Sequence, residues 1–249
     1  MKPPPFAYHA PGSVSEVCSL LASHEDVKVL AGGQSLLPLL NFRLARPAHL
    51  VDINRVNGLD TIYERNGGVA VKALVRQADV EDSPVVARVC PLLAAAVRLV
   101  AHRVIRNRGT VCGSLAHADP ASELPAVLLA LGGHAVLRSA RGERTVPAEQ
   151  FFLGVFETAL AADELLVEAR FPASPAPFAI IEESRRHGDF AIAGVVRAAD
   201  RLALFGVAAT PVLADPRDPK RGLRPSGDLE ATPEFRLHLV SVLAERAFA

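Results

Sequence analysis

Two segments of this chain carry residue types that could hold a phosphorylated ligand. The first is Ala31-Gly32-Gly33-Gln34-Ser35, which follows an apolar, strand-like run and precedes an apolar segment that starts with Leu36. Glycines after a strand allow positive φ and let the backbone approach a ligand, so that successive N–H groups point at a phosphate. A nucleotide pyrophosphate is the natural occupant, although two glycines after a strand also occur as plain structure.

The second segment is RNRGTVCGSLAHADP, residues 106–120, which combines glycines, hydroxyls, a histidine and an aspartate. Two such loops suit a long ligand with two phosphates. We expect amides of Gly32, Gly33 and Gly113 to hold the pyrophosphate. Side chains that could bond sugar or ribityl hydroxyls are Ser35, Thr110, Ser114 and Asp119.

Ordinary structural roles remain open for this second segment. Asp119 could cap a helix that Pro120 opens, and Gly113 could simply turn the chain. His117 either touches the ligand or makes local hydrogen bonds. Cys112 is better explained as a tolerated small residue than as a thiol near the ligand. The complete candidate set is Ala31, Gly32, Gly33, Gln34, Ser35, Leu36, Thr110, Val111, Cys112, Gly113, Ser114, His117 and Asp119.

The pair AGGQSLLPLLNFRLARPAHLVDINRV and IRNRGTVCGSLAHADPASELPA, in this order and spacing, resembles the FAD-binding medium subunit of molybdenum hydroxylases. This group includes carbon monoxide dehydrogenase and bacterial xanthine dehydrogenase-type enzymes. The resemblance runs from KPPPF near the N-terminus through RRHGDF to ALFGV. It implies FAD on this chain, with no catalytic residue of its own. It also implies a large molybdopterin-binding subunit, a small two-iron two-sulfur subunit and a dimer of heterotrimers.

The fold class expected from this resemblance is α+β: a two-lobed, non-Rossmann FAD-binding domain and a small C-terminal domain of antiparallel strands with a terminal helix. We place the first domain at residues 1–172, with its lobes meeting near 55–60, and the second at 173–249, shortened around 214–228. Prolines in residues 172–177 mark the boundary.

Local patterns predict several elements. A capping box at Ser13 opens a helix, and an apolar helix over residues 84–101 is interrupted near Pro91. Another helix runs from Pro120 to Leu131 and stops at Gly132. The terminal helix starts at Thr232-Pro233, and its predicted inward residues are Phe235, Leu239, Val242 and Leu243.

Composition excludes several classes of protein. Lysine plus arginine and aspartate plus glutamate both number 27, which gives no electrostatic footprint for nucleic acid. The N-terminus lacks the apolar core of a signal peptide, and no apolar run is long enough to span a bilayer, so we expect a cytoplasmic protein. The three cysteines are scattered, which excludes a self-contained iron–sulfur or zinc site built from close cysteine pairs.

The predicted function is therefore electron transfer: FAD on this chain takes electrons from a two-iron two-sulfur subunit and passes them to an external acceptor. Two alternatives are a stand-alone flavin oxidoreductase and a flavin-free assembly or scaffold protein. A stand-alone enzyme needs its own substrate base and pocket, and no such constellation is visible in the sequence.

Overall fold

The computed structural model describes residues 2–249. The helices are α1 (Val14–Ser23), α2 (Leu36–Asn41), α3 (Gln77–Asp82), α4 (Pro84–Val89), α5 (Pro91–Leu99), α6 (Arg103–Arg106), α7 (Val111–His117), α8 (Glu123–Leu131), α9 (Ala148–Phe151) and α10 (Pro233–Phe248). The strands are β1 (Ala7–His9), β2 (Val27–Leu30), β3 (His49–Asp52), β4 (Ile62–Arg65), β5 (Gly68–Lys72), β6 (His134–Ser139), β7 (Gly142–Pro147), β8 (Phe152–Gly154), β9 (Glu157–Thr158), β10 (Leu165–Phe171), β11 (Phe178–Glu183), β12 (Ala193–Ala198), β13 (Arg201–Phe205) and β14 (Val212–Ala214).

These strands form separate sheets in chain order. The first is a three-stranded parallel sheet in the order β1-β3-β2. The second has five antiparallel strands in the order β4-β5-β10-β6-β7, and the third has four in the order β11-β12-β13-β14. A separate two-stranded hairpin, β8-β9, comes in the chain between β7 and β10 of the second sheet. This mixture of helices and sheets confirms the predicted α+β class. The predicted domain boundaries fall in links between sheets and stay predictions.

The first lobe begins as its sequence predicts. The Ser13 hydroxyl accepts a hydrogen bond from the amide of Glu16 at 3.2 Å and so caps α1. In a complete capping box the Glu16 carboxylate would accept from the amide of Ser13. Here it accepts from the amide of Gly12 instead. Val17, Cys18 and Leu21 form the buried stripe of α1, so Cys18 is a core residue as its spacing indicates.

Helix α8 is the central element of the molecule. All nine of its residues are buried, which is typical of a helix with protein on every side. It packs on α5 and α7 on one side and on strands β12 and β13 of the C-terminal sheet on the other. Because α7 is part of the second candidate segment, this packing fixes that segment against the core.

The start of α8 differs from the prediction. The helix begins at Glu123 with Ser122 as its N-cap, while residues 119–122 form a turn closed by the Ser122 amide on the Asp119 carbonyl at 3.0 Å. Asp119 therefore does not cap α8; its carboxylate accepts from the Ala121 amide at 2.9 Å. A helix from Pro120 would have placed Pro125 beyond the first turn, where its missing N–H breaks the ladder.

Helix α10 covers the four-stranded sheet, with Thr232 as its N-cap. Leu239 and Leu243 are buried as predicted, together with Val240. The prediction is wrong for Phe235, which is 44% exposed, and its place is taken by Arg236. This side chain donates to the carbonyls of Ile192 and Gly206, and to the carboxylate of Asp228 at 2.5 Å.

Within residues 2–249, no helix combines the length and the apolar character that crossing a bilayer demands.

Replacing Arg236 with Met should lower the free energy of unfolding by about 3 kcal/mol, because two buried carbonyls and one carboxylate lose their donor. Chemical denaturation followed by circular dichroism measures this change. Arg246→Met, at an exposed position of the same helix, is the matched control and should change stability by less than about 0.5 kcal/mol. Equal stability of the two variants would contradict the proposed role of Arg236.

Candidate functional site

The first candidate segment forms a tight turn between β2 and α2. Gly33 has φ of 76°, a value that glycine adopts without strain, and its carbonyl accepts from the Leu37 amide at 3.0 Å. Within residues 2–249, the amides of Gly32, Gly33, Gln34 and Ser35 have no hydrogen-bond acceptor. Adjacent N–H groups of this kind are the donors that a phosphate needs.

The second segment is a loop that runs into a helix rather than one continuous loop. Thr110 is the N-cap of α7, and its hydroxyl accepts from the Gly113 amide at 3.0 Å. This cap starts helix α7, which contains the predicted site residues Val111, Cys112, Gly113, Ser114 and His117. The Gly113 amide is thus already bonded, unlike the amides of the first turn.

The two segments touch directly. An ideal Cβ placed on Gly32 would lie 2.3 Å from the carbonyl oxygen of Arg108 and 2.9 Å from the Cα of Gly109. No side chain fits between these backbones, so glycine at position 32 is what lets the turns meet. The sequence predicted a glycine that approaches a ligand; the structure shows one that approaches the other turn.

A hydrogen-bonded chain of side chains holds this contact. Arg76 donates to the Arg108 carbonyl at 2.8 Å and to the Asn54 side-chain oxygen at 2.7 Å. Asn54 donates in turn to the Ala31 carbonyl at 2.8 Å. Sequence analysis missed both Arg76 and Asn54, since neither lies in a glycine-rich segment and they come together only through the fold.

Asp52 anchors the far end of this chain. Its carboxylate accepts from the Asn54 side chain at 2.6 Å and from the Tyr8 hydroxyl at 2.7 Å. Burial opposes ionisation, yet the hydrogen bonds from Asn54 and Tyr8 keep the pKa of Asp52 below its ordinary value. The first turn, which follows β2, is therefore tied to β3 and, through Tyr8, to β1 of the parallel sheet.

The predicted residues of α7 divide into two groups. Val111 and Cys112 are buried in the core, where the Cys112 thiol lies 3.5 Å from the Val71 carbonyl and burial raises its pKa. Only their backbones can meet a ligand. Ser114 and His117 are half-buried; the Ser114 hydroxyl lies 3.0 Å from that of Ser122.

His117 packs against an aromatic residue of the β8-β9 hairpin. The ring centroids of His117 and Phe156 are 4.9 Å apart, and the Phe156 amide donates to the Ala118 carbonyl at 3.2 Å. Burial lowers the pKa of His117, so its ring is neutral at pH 7. A neutral ring offers one donor and one acceptor rather than a positive charge.

Two carboxyl groups near the Asp119 turn, one buried and one half-buried, have raised pKa values. Burial raises the pKa of Glu123, at the start of α8, to about 8, and that of Glu182, on β11, to about 7. The charges of Glu182 and Asp119 add to the shift of Glu123. The Oε2 atom of Glu182 has no hydrogen-bond partner within residues 2–249.

We expect the stability of this protein to fall as pH rises from 4.5, the ordinary pKa of Glu123, to about 8, its value in the fold. In that window the unfolded chain releases a proton that the folded chain retains. Glu123→Gln should remove much of this fall and be more stable than the wild type at pH 8.5 by roughly 3 kcal/mol, with little difference at pH 4.

Thermal melts at a series of pH values measure this difference. Glu183→Gln, at an exposed position beside Glu182, is the control and should follow the wild-type profile. If the gap between Glu123→Gln and wild type stays constant with pH, Glu123 does not carry the shifted proton.

Comparison with known proteins assigns the chain to a family. Residues 4–174 match the family described as the FAD binding domain in molybdopterin dehydrogenase. The nicotine 6-hydroxylase medium subunit of Paenarthrobacter nicotinovorans is 45% identical over 195 residues, which cover 78% of this chain and 69% of that protein.

Solved structures agree with this match over the whole chain. Carbon monoxide dehydrogenase from Hydrogenophaga pseudoflava superposes with a TM-score of 0.94 and 37% identity, covering 100% of this chain and 97% of the other. Quinoline 2-oxidoreductase from Pseudomonas putida 86 gives a TM-score of 0.93 and 35% identity, covering 99% and 96%. The resemblance seen in the two glycine segments is confirmed: the chain belongs to the family of FAD-binding subunits of molybdenum-dependent dehydrogenases and hydroxylases.

Proposed function

We propose that this chain binds FAD where its two glycine segments meet and serves as the electron-transfer subunit of a molybdenum hydroxylase. One observation carries the proposal: a row of amides without acceptors, from Gly32 to Ser35, lies on a turn that packs against the backbone of Arg108. Donors left unpaired in this way require a ligand or water, and the oxygens of a pyrophosphate are acceptors that suit such donors.

The chain's own residues fit this cofactor in distinct roles. Free amides of the first turn hold phosphate oxygens, with Ala31 and Leu36 fixing the two ends of the turn. Ser114 and Asp119, beside the C-terminal half of α7, bond hydroxyls, and the neutral ring of His117 packs next to them. Thr110, Val111, Cys112 and Gly113 contribute through their backbone and through the cap that orients α7. When bound, FAD accepts electrons singly and can release them as a pair.

The partners we propose are a large molybdopterin-binding subunit and a small subunit with two-iron two-sulfur clusters, assembled as a dimer of heterotrimers. Support comes from the name "medium subunit" carried by a relative at 45% identity. It also comes from the cysteines of this chain: Cys18, Cys90 and Cys112 are all buried as free thiols at separate places in the core. An electron donor with a cluster must then lie on another chain. The cytoplasmic location stays a prediction.

The β8-β9 hairpin is the surface we propose for contact with a partner. Leu153, Val155 and Phe156 are 57%, 55% and 57% exposed, and the Phe156 ring packs against that of His117. Neighbouring exposed apolar side chains are typical of the centre of an interface. Their position next to the candidate FAD site would keep the electron path short.

Gly32→Ala should weaken FAD binding at least about tenfold, because its Cβ would lie 2.3 Å from the Arg108 carbonyl and would push the two turns apart. Flavin absorbance per chain and the Kd measured by reconstitution of the apoprotein report the change. Gly12→Ala is the control, since its ideal Cβ has no neighbour closer than 4.0 Å.

Two results would contradict the proposed site. Stoichiometric FAD with unchanged affinity in Gly32→Ala would show that the contact between the turns does not support the cofactor. A wild-type chain that takes up no flavin would favour the scaffold alternative. A stand-alone oxidoreductase would instead show substrate-dependent flavin reduction by the isolated chain.

Leu153→Ser combined with Val155→Ser should reduce co-purification with the large and small subunits at least about tenfold, since two apolar contacts at the centre of the interface are lost. Flavin content should not change, because the contact between Phe156 and His117 is kept. Leu229→Ser, at a position that is 97% exposed, is the matched control. An undiminished yield of complex from the double variant would exclude the hairpin as the interface.

A further inference from the structure

Three histidines that are far apart in the sequence meet on the parallel sheet, near the start of its central strand β3. His9 ends β1, His49 begins β3, and His24 follows the last residue of α1, just before β2. Strand β3 lies between the other two and pairs with both: Ala7 and Val27 are each opposite His49. Because side chains alternate along a strand, His9 and His49 lie on the same face of the sheet.

The imidazoles are close enough to share one ion. One ligand nitrogen from each ring lies within 4.8 Å of the others, and all three residues are half-buried. His9 Nε2 lies 3.0 Å from His49 Nδ1, and the ring centroids of His24 and His49 are 4.3 Å apart. Two nitrogens on a tetrahedral zinc ion, each about 2.0–2.1 Å from the metal, lie about 3.3 Å apart. The pair of His9 and His49 needs to open by only a few tenths of an ångström.

The backbone already orients one of the three rings. His24 Nδ1 lies 3.1 Å from the Leu20 carbonyl and 2.9 Å from the Ser23 hydroxyl. A carbonyl can only accept, so Nδ1 carries the proton and Nε2 has the free lone pair. Metal-binding histidines are typically fixed by a hydrogen bond of this kind from the other ring nitrogen.

The charge of the cluster suits a cation. Burial lowers the pKa of His49, and the neighbouring His24 and His9 lower it further, while Asp26 acts in the opposite direction. Three imidazole nitrogens without a carboxylate in the set favour zinc, copper or nickel over magnesium or calcium. In the contact between His9 Nε2 and His49 Nδ1, one of the two nitrogens carries a proton. When both nitrogens bind the metal, that proton moves to the other nitrogen of the same ring.

We propose that His9, His24 and His49 form a binding site for a divalent transition metal of the zinc class. The ion would fasten β1 and the end of α1 to the central strand of the first lobe. The site lies at the start of β2, whereas the Ala31–Ser35 turn lies at its end, about 13 Å away for a four-residue strand. The proposal is therefore independent of FAD binding.

The test uses the full chain without an affinity tag, stripped with EDTA and titrated with zinc chloride by calorimetry. We expect one equivalent to bind in the micromolar range or tighter, and the thermal midpoint to rise with zinc. His24→Gln and His49→Gln should each weaken binding at least about tenfold. His238→Gln, at an exposed position on α10, is the control and should bind like the wild type.

The visible spectrum of the wild type titrated with cobalt chloride is a second measurement. It tests the metal site even if a histidine variant fails to fold. Visible bands of a four-coordinate site with nitrogen ligands and no thiolate charge transfer would support the proposal. Zinc affinity equal in wild type and histidine variants, or a cobalt spectrum showing thiolate ligands, would overturn it. In that case the three rings form only a hydrogen-bonded cluster.

Discussion

The close approach of Gly32 to the backbone of Arg108 is the contact on which the candidate site depends. It brings together the turn that follows β2 and the turn that precedes α7, and it is possible only without a side chain at position 32. Arg76 and Asn54 bridge the same two turns by hydrogen bonds to the carbonyls of Arg108 and Ala31. Because this bridge of two side chains ends on a backbone carbonyl of each turn, the contact between the turns does not depend on a ligand.

Helix α8, which is buried, also helps to fix the candidate site, from its other side. This helix is apolar on every face, so it joins the first domain to the C-terminal sheet through one continuous core. Burial also raises the pKa of Glu123 and Glu182, because water cannot solvate their charges. The Asp119 turn therefore lies near Glu123, which is largely protonated at neutral pH, and near Glu182, which is partly protonated, so the local negative charge is smaller than the sequence suggests.

The parallel sheet separates two chemically different ends. Its strands place unpaired amides at one end of β2 and three imidazoles at the other. Amides without acceptors favour an anion, whereas imidazole nitrogens are typical ligands of a transition-metal cation. Tyr8, next to His9 on β1, donates to Asp52 in the network behind the first turn. Strand β1 thus takes part in both ends of the lobe.

The sequence by itself determined the family, the α+β class and the two glycine segments, because these are properties of residues adjacent in the chain. It also predicted the cap at Ser13, the break at Pro91 and the stop at Gly132, where local backbone chemistry decides the outcome. Predictions from neighbouring residues were wrong where a residue later in the chain decided the structure. Pro125 moves the start of α8 to Glu123, and Arg236 takes the buried position predicted for Phe235.

Only the tertiary structure decided which residues meet. Arg76 and Asn54 are separated by two strands, and His9, His24 and His49 belong to three different elements, so no spacing in the sequence announces either group. Cys112 lies within a predicted ligand segment, yet its thiol is buried in the core because α7 turns that face inward. The physical reason is common to all three cases: strand pairing and helix packing join distant residues, and burial decides which face of each element a ligand can reach.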